Sequence, residues 1–173
     1  MEGIIHIEDF LSNSAQIFNQ LKAQVVWDQR MTARKTASYG VAYNYSQMSY
    51  PYQTMPLNLQ QICTDLQQSI GFKPNNCLIN YYIEGKSQMG FHSDQTDILE
   101  LNTGIAIVSL GQTRILRFRN ISNREQTKDF DLTTGSLFYM CQELQANWEH
   151  AIPKSKEDGE RMSLTFRKIE AYL

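Results

Sequence analysis

His92, Ser93 and Asp94 place an imidazole and a carboxylate two residues apart, and a second imidazole, His150, follows far downstream. Two imidazoles and one carboxylate are the facial ligand set that leaves half of an octahedral Fe(II) open for oxygen chemistry. Further on, Arg161 and Arg167 stand six residues apart in Arg161-Met162-Ser163-Leu164-Thr165-Phe166-Arg167. A strand there turns both guanidinium groups, with Ser163 and Thr165, to one face, and Met162, Leu164 and Phe166 to the other. Two cations on the inner face of a core strand are costly unless anions pair with them, and guanidinium groups pair with carboxylates through two parallel hydrogen bonds. A dicarboxylate cosubstrate would meet both charges, and with iron it makes an oxygenase.

Each ligand also has a plainer explanation. The chain has three histidines, His6, His92 and His150, and a single histidine is commonly a hydrogen-bonded structural residue. A His-x-Asp pair arises on any strand, because alternation puts both side chains on one face. Spacing alone leaves iron, zinc and a purely structural role open.

The elements that must position these residues follow from periodicity. Asp9 to Ser12, rich in cap-type residues, leads into the apolar face of Ile17, Phe18 and Leu21, which predicts an N-terminal helix. Leu59, Ile62, Cys63 and Leu66 predict a second helix over 58–69, stopped by Gly71. Between them, Trp27 to Pro56 holds Tyr39, Tyr43, Tyr45, Tyr50 and Tyr52 among small and polar residues, the composition of strands or an ordered aromatic loop. From Asn76 the pattern becomes short strands, at 78–83, 104–110, 115–119, 128–132, 136–140 and 162–169, separated by turn residues. The expected fold is α+β and mainly β, a double-stranded β-helix or jelly roll with N-terminal helices packed on one sheet. A single domain over 1–173 is expected, with helices and a substrate lid over about 1–75 and the jelly-roll core over about 76–173.

Composition excludes several classes. Hydrophobic content of 42% and charged content of 20% are those of a globular chain, and no apolar run approaches the roughly 20 residues of a membrane span. Sixteen Lys and Arg against 18 Asp and Glu give a net charge of −2, too little cationic excess for a protein that coats nucleic acid by bulk electrostatics. The clusters Arg30, Arg34, Lys35 and Arg114, Arg117, Arg119, Arg124 are read on charge alone as solvated faces. Cys63, Cys77 and Cys141 are odd in number and form no CxxC pair, as free thiols in a reducing compartment do. Glu2 stands where a secretory peptide carries positive charge. A cytoplasmic monomer is expected, or a nuclear one in a eukaryote, with no membrane partner.

Taken together, Asn80-Tyr81-Tyr82-Ile83-Glu84-Gly85, Gly90-Phe91-His92-Ser93-Asp94, Ile107 to Gly111, Trp148-Glu149-His150-Ala151-Ile152-Pro153 and Arg161 to Arg167 resemble, in order and spacing, the AlkB family of Fe(II)- and 2-oxoglutarate-dependent dioxygenases. Upstream, Arg34-Lys35-Thr36-Ala37-Ser38-Tyr39-Gly40 is similar to the lid of the nucleic-acid demethylase branch. The resemblance implies iron ligation by His92, Asp94 and His150. It implies hydrogen bonds from Asn80 and Tyr82 to 2-oxoglutarate, Arg161 on its distal carboxylate and Arg167 beside the carboxylate near iron. O2 is the third cofactor, and no catalytic residue is implied beyond the metal site.

The implied reaction is oxidative demethylation of N-alkylated nucleobases in DNA or RNA, an alkylation-damage repair that releases formaldehyde, succinate and CO2. A target base must leave its stack to reach iron, so the lid is expected to offer aromatic surfaces and phosphate contacts. Tyr39, Tyr43 and Tyr45 suit the first role, and Arg34 and Lys35 the second. One position departs from the family pattern: where its demethylases carry an acidic base-recognition residue, two after the metal-binding Asp, this chain has Thr96, then Asp97. That departure leaves a second possibility, a 2-oxoglutarate-dependent hydroxylase of a protein, a modified RNA base or a small metabolite. A noncatalytic β-barrel binding module is the third.

Overall fold

The structure, a computed structural model, describes residues 1–45 and 47–170; the side chain of Tyr45 lies outside the described residues. In chain order the elements are β1 (Ile4–Ile7), α1 (Ser14–Gln24), β2 (Lys35–Gly40), β3 (Tyr43–Tyr45), β4 (Met48–Tyr50), α2 (Leu57–Ile70), β5 (Asn76–Tyr82) and β6 (Met89–His92). They continue with β7 (Gly104–Gly111), β8 (Arg114–Asn120), β9 (Thr127–Leu132), β10 (Leu137–Cys141), α3 (Leu144–Asn147), β11 (Trp148–Ile152) and β12 (Arg161–Arg167). The strands form a six-stranded sheet in the order β1-β10-β7-β12-β5-β2, a four-stranded sheet in the order β6-β11-β8-β9, and the small pair β3-β4. Every ladder is antiparallel. This is the double-stranded β-helix expected from the strand pattern.

Alternation along β12 explains how the layers stack. Met162, Leu164 and Phe166 join Cys77, Ile79 and Tyr81 of β5 and Ala106, Val108 and Leu110 of β7 in one apolar cluster. Ile17 and Leu21 of α1 and Leu59, Ile62, Cys63 and Leu66 of α2 close that cluster from outside. The apolar residues of α2 recur at i, i+3, i+4 and i+7, so one stripe meets the sheet. Gly71 ends α2 with a left-handed φ of 84°, as its place after the last apolar residue predicts. Between the sheets, Ile105, Ile107, Phe138 and Met140 pack against Leu116, Phe118, Leu132 and Ile152. The inner face of β12 instead carries Arg161, Ser163, Thr165 and Arg167, all buried, so the interior is polar where these side chains enter it.

Some elements escape the sequence pattern. β1, β6 and β11 have four, four and five residues, too short for alternation to stand out. α1 begins at Ser14 with no side-chain cap hydrogen bond, so the cap-type residues upstream lie before the helix. The six-stranded sheet takes β1 and β2 from the first 75 residues, alongside the two helices.

The seam between β2 and β5 is fixed by side-chain amides. The Asn76 amide donates to the Ser38 hydroxyl at 3.1 Å and to the carbonyls of Tyr39 and Val41 at 3.1 and 2.9 Å. Gly40, at φ 84°, runs so close to this seam that an added Cβ would lie 2.0 Å from the Asn75 carbonyl oxygen. Gly40→Ala combines a left-handed backbone with a clash against main chain, and is expected to cost roughly 2–5 kcal/mol. A urea unfolding midpoint equal to that of the unmodified protein would contradict this packing.

Candidate active site

β6 is an edge strand of the four-stranded sheet, and its pairing with β11 sets His92 directly opposite His150. The two rings lie 4.4 Å apart, centroid to centroid. Asp94 follows two residues beyond the last residue of β6, and its carboxylate turns back to both rings. Oδ2 is 3.4 Å from His150 Nε2, and Oδ1 is 3.7 Å from His92 Nε2. One ligand atom from each of the three residues lies within 4.8 Å of the others, close enough to share a metal ion.

The surroundings orient these three side chains. His92 Nδ1 lies 2.9 Å from the Gly90 carbonyl; a proton donated there leaves the lone pair on Nε2, the nitrogen that faces Asp94. His150 is buried and packs on Phe118, with ring centroids 5.6 Å apart. The backbone N–H of Asp94 donates to Gln145 Oε1 at 2.8 Å, and the Gln145 amide in turn lies 3.7 Å from Met140 Sδ. Ser93 donates to the Trp148 carbonyl at 3.1 Å. Burial raises the pKa of the Asp94 carboxyl, but hydrogen bonds from His150 and His92 and the charge of Arg167 outweigh it and hold the group well below the usual carboxylate range. At His92 burial disfavours the charged ring, and the contacts with Asp94 and Gly90 reverse that and raise its pKa.

The two arginines of β12 enter the same cavity, which Asn80, Tyr82, Ser163 and Thr165 also line. Arg167 Nη2 is 3.8 Å from Asp94 Oδ1, and its guanidinium lies 4.9 Å from the Tyr43 ring centre. Among the described residues its Nε and Nη1 have no hydrogen-bond partner. Arg161 is 2% exposed and donates from Nη2 to the Ser109 hydroxyl at 3.1 Å, and its Nε has no partner among the described residues. Burial lowers its pKa to about 10. Among the described residues Arg161 forms no ion pair with a carboxylate. Two buried guanidinium groups with unused donors, one beside Asp94 and one at the other end of β12, fit a dicarboxylate anchored at both ends.

Other residues singled out from the sequence divide into two groups. Arg34 is buried and donates from Nε to Asn80 Oδ1 at 2.8 Å, so it reaches the cavity side. Tyr43 is buried beside Arg167, and Thr96 sits half-buried in the turn after Asp94, its carbonyl accepting from the Leu99 N–H at 3.1 Å. Lys35 and Tyr39 are not brought to the cavity. Lys35 Nζ lies 5.9 Å from the Tyr81 ring centre, and Tyr39 packs against the helix-side cluster. The second arginine cluster is only in part the solvated face read from charge: Arg124 is exposed, whereas the other three are engaged by protein groups. Arg114 is buried and donates from Nη2 to the Ser87 and Pro153 carbonyls at 2.7 Å each. Arg117 pairs with Asp129 at 2.7 Å, and Arg119 pairs with Glu149 at 2.6 Å while stacking on Phe91.

Sequence patterns assigned no site role to Gln145, Ser109 or Arg114. Nothing in the four-residue α3 marks Gln145 as a buried partner of the Asp94 backbone. Its loss frees the turn that carries Asp94, so Gln145→Leu is expected to weaken Mn(II) binding by about tenfold or more. Paramagnetic titration of Mn(II) would measure this, and unchanged affinity would contradict the role given to Gln145.

Residues 3–167 match the family model of the 2OG-Fe(II) oxygenase superfamily. Alpha-ketoglutarate-dependent dioxygenase alkB homolog 3 of Bos taurus is 29% identical over 179 residues, covering 92% of this chain and 63% of that protein. DNA oxidative demethylase ALKBH2 of Homo sapiens is 31% identical over 160 residues, covering 86% and 61% respectively. An uncharacterised protein, R406, of Acanthamoeba polyphaga mimivirus is 38% identical over 106 residues, covering 60% of this chain and 54% of its own length. The chain thus spans 54% to 63% of the length of these relatives. In fold it is similar to a solved structure of OsALKBH1, with a TM-score of 0.71, 15% identity and coverage of 97% of this chain and 99% of that one. The family-model match and the similarity to ALKBH2 show that the chain belongs to the AlkB family of the 2OG-Fe(II) oxygenase superfamily.

Proposed function

We propose that this protein oxidatively demethylates N-alkylated nucleobases in DNA or RNA, using Fe(II), 2-oxoglutarate and O2 and releasing formaldehyde, succinate and CO2. The observation that carries the proposal is one cavity holding both the His92, Asp94 and His150 cluster and the unused donors of Arg161 and Arg167. The similarity to DNA oxidative demethylase ALKBH2 supports a nucleic-acid substrate.

In this scheme His92 Nε2, the Asp94 carboxylate and His150 Nε2 would hold iron. Arg161 would take the distal carboxylate of 2-oxoglutarate, Arg167 would lie beside the carboxylate nearest the metal, and Asn80 and Tyr82 would hydrogen-bond the cosubstrate. When bound, iron with 2-oxoglutarate and O2 supplies a two-electron oxidation of a methyl C–H bond, one oxygen atom ending in succinate and the other in formaldehyde. The chain's own residues position and enclose. Ile107, Leu116 and Ile152 line the cavity and limit water beside the ligands. A base extruded from its stack would enter past Arg34, Tyr43 and Thr96. Lys35 and Tyr39 face away from the cavity, which limits them to nucleic acid outside it. Three free cysteines agree with action in a reducing compartment, cytoplasm or nucleus, and among the described residues no helix is long and apolar enough to cross a membrane.

The test is incubation with Fe(II), 2-oxoglutarate and oligonucleotides carrying 1-methyladenine or 3-methylcytosine, with formaldehyde and succinate measured together. Equimolar formaldehyde and succinate are expected, and both should vanish in Asp94→Ala. Succinate without methyl loss from any DNA or RNA would count against demethylation. That outcome would favour the second reading, hydroxylation of a protein, a modified RNA base or a small metabolite, which Thr96 motivates by removing the acidic side chain from the base-recognition position.

A further inference from the structure

Arg34 lies in the segment that precedes β2, 46 residues before Asn80 in the chain, yet its Nε donates to Asn80 Oδ1 at 2.8 Å with both side chains buried. A guanidinium can only donate hydrogen bonds, whereas a primary amide has one accepting end and one donating end. The bond therefore settles which way the Asn80 amide points. Its oxygen is committed to Arg34, and its NH2 group is what remains to offer other partners. Asn80 lines the cavity that holds Arg161 and Arg167, where an incoming carboxylate needs donors and is repelled by an exposed carbonyl oxygen.

We infer that Arg34 is a positioning residue for the cosubstrate: it locks the Asn80 amide with its NH2 toward the 2-oxoglutarate carboxylates and so couples the 27–35 segment to cosubstrate binding. This rests on the assignment of the cavity to 2-oxoglutarate. The register supports it independently of charge, because β2 pairs with β5 so that Thr36 lies opposite Asn80, and the chain just before β2 is thereby held over the cavity end of β5. By linkage, a cosubstrate that favours the locked amide must also favour the ordered position of Arg34, and the segment that carries it.

The experiment is calorimetric titration of 2-oxoglutarate into Mn(II)-loaded protein, for the unmodified chain, Arg34→Met, Asn80→Ala and the double variant. Arg34→Met and Asn80→Ala are each expected to weaken binding about tenfold, the scale of one hydrogen bond to a charged partner. The double variant should be no weaker than either single one. Multiplying effects would mean that Arg34 acts by its charge alone, and would overturn the inference, as would unaltered affinity in Arg34→Met. Arg34→Lys, which keeps a donor-only cation, should regain most of the affinity and guards against a folding defect in Arg34→Met. Hydrogen exchange gives a second readout: 2-oxoglutarate should protect amides of residues 27–35 in the unmodified protein and not in Arg34→Met, and equal protection in both would contradict the coupling. Absence of 2-oxoglutarate binding by the unmodified protein would instead overturn the cosubstrate assignment and this inference with it.

Discussion

Two guanidinium groups on the inner face of β12 set the terms for the rest of the molecule. Removing an ionised side chain from water costs several kcal/mol even after the protein relaxes, and Arg161 and Arg167 are buried with donors left unused. A central strand of an antiparallel sheet would ordinarily spend both faces on apolar packing. Here only one face does so, through Met162, Leu164 and Phe166 against the helix-side cluster. That packing anchors the strand so firmly that the other face can hold charge. The helices, though far from the chemistry, are thus part of what makes the cationic interior possible.

The cluster of His92, Asp94 and His150 follows a complementary logic. Both histidines come from adjacent strands of the smaller sheet in direct register, and the carboxylate arrives from the turn beyond the edge strand. An edge strand has one side without a ladder neighbour, which gives the chain after His92 freedom to fold Asp94 back over the rings. The turn is then pinned by Gln145 through the Asp94 backbone N–H and by Ser93 on the Trp148 carbonyl. Asp94 also bridges the two sheets electrostatically, since Arg167 of the larger sheet lies 3.8 Å from its carboxylate.

Much of this was legible in the chain because it depends on periodicity. The alternation of β12, the stripe of α2 with Gly71 at its end, and the long strands β5, β7 and β8 are all local patterns. His92, Asp94 and His150 were legible as a set only through residue type, and spacing alone left zinc or a structural role open; the shared location of their ligand atoms is a matter of register that no local pattern encodes. β1, β6 and β11 were hidden by their brevity. The substrate-side residues divided for a simple reason: along β2 neighbouring side chains alternate faces, so a lid motif read as a block, Arg34 to Tyr39, cannot all turn one way. Arg34 entered the interior while Lys35 and Tyr39 turned to the helix side. The buried Arg114 defied base rates for surface arginine because it binds two loop carbonyls, contacts invisible to charge counting.

If the buried arginines exist to hold a dicarboxylate, the protein must distinguish 2-oxo acids by their far end. The most direct measurement compares 2-oxoglutarate with 2-oxobutyrate, which has the same metal-chelating group and no distal carboxylate, by calorimetry on Mn(II)-loaded protein. The expected result is binding of 2-oxoglutarate stronger by about a hundredfold, the scale of a charge-paired carboxylate in a buried site, with the preference largely lost in Arg161→Met. Equal binding of the two acids, or a preference that survives Arg161→Met unchanged, would contradict the account.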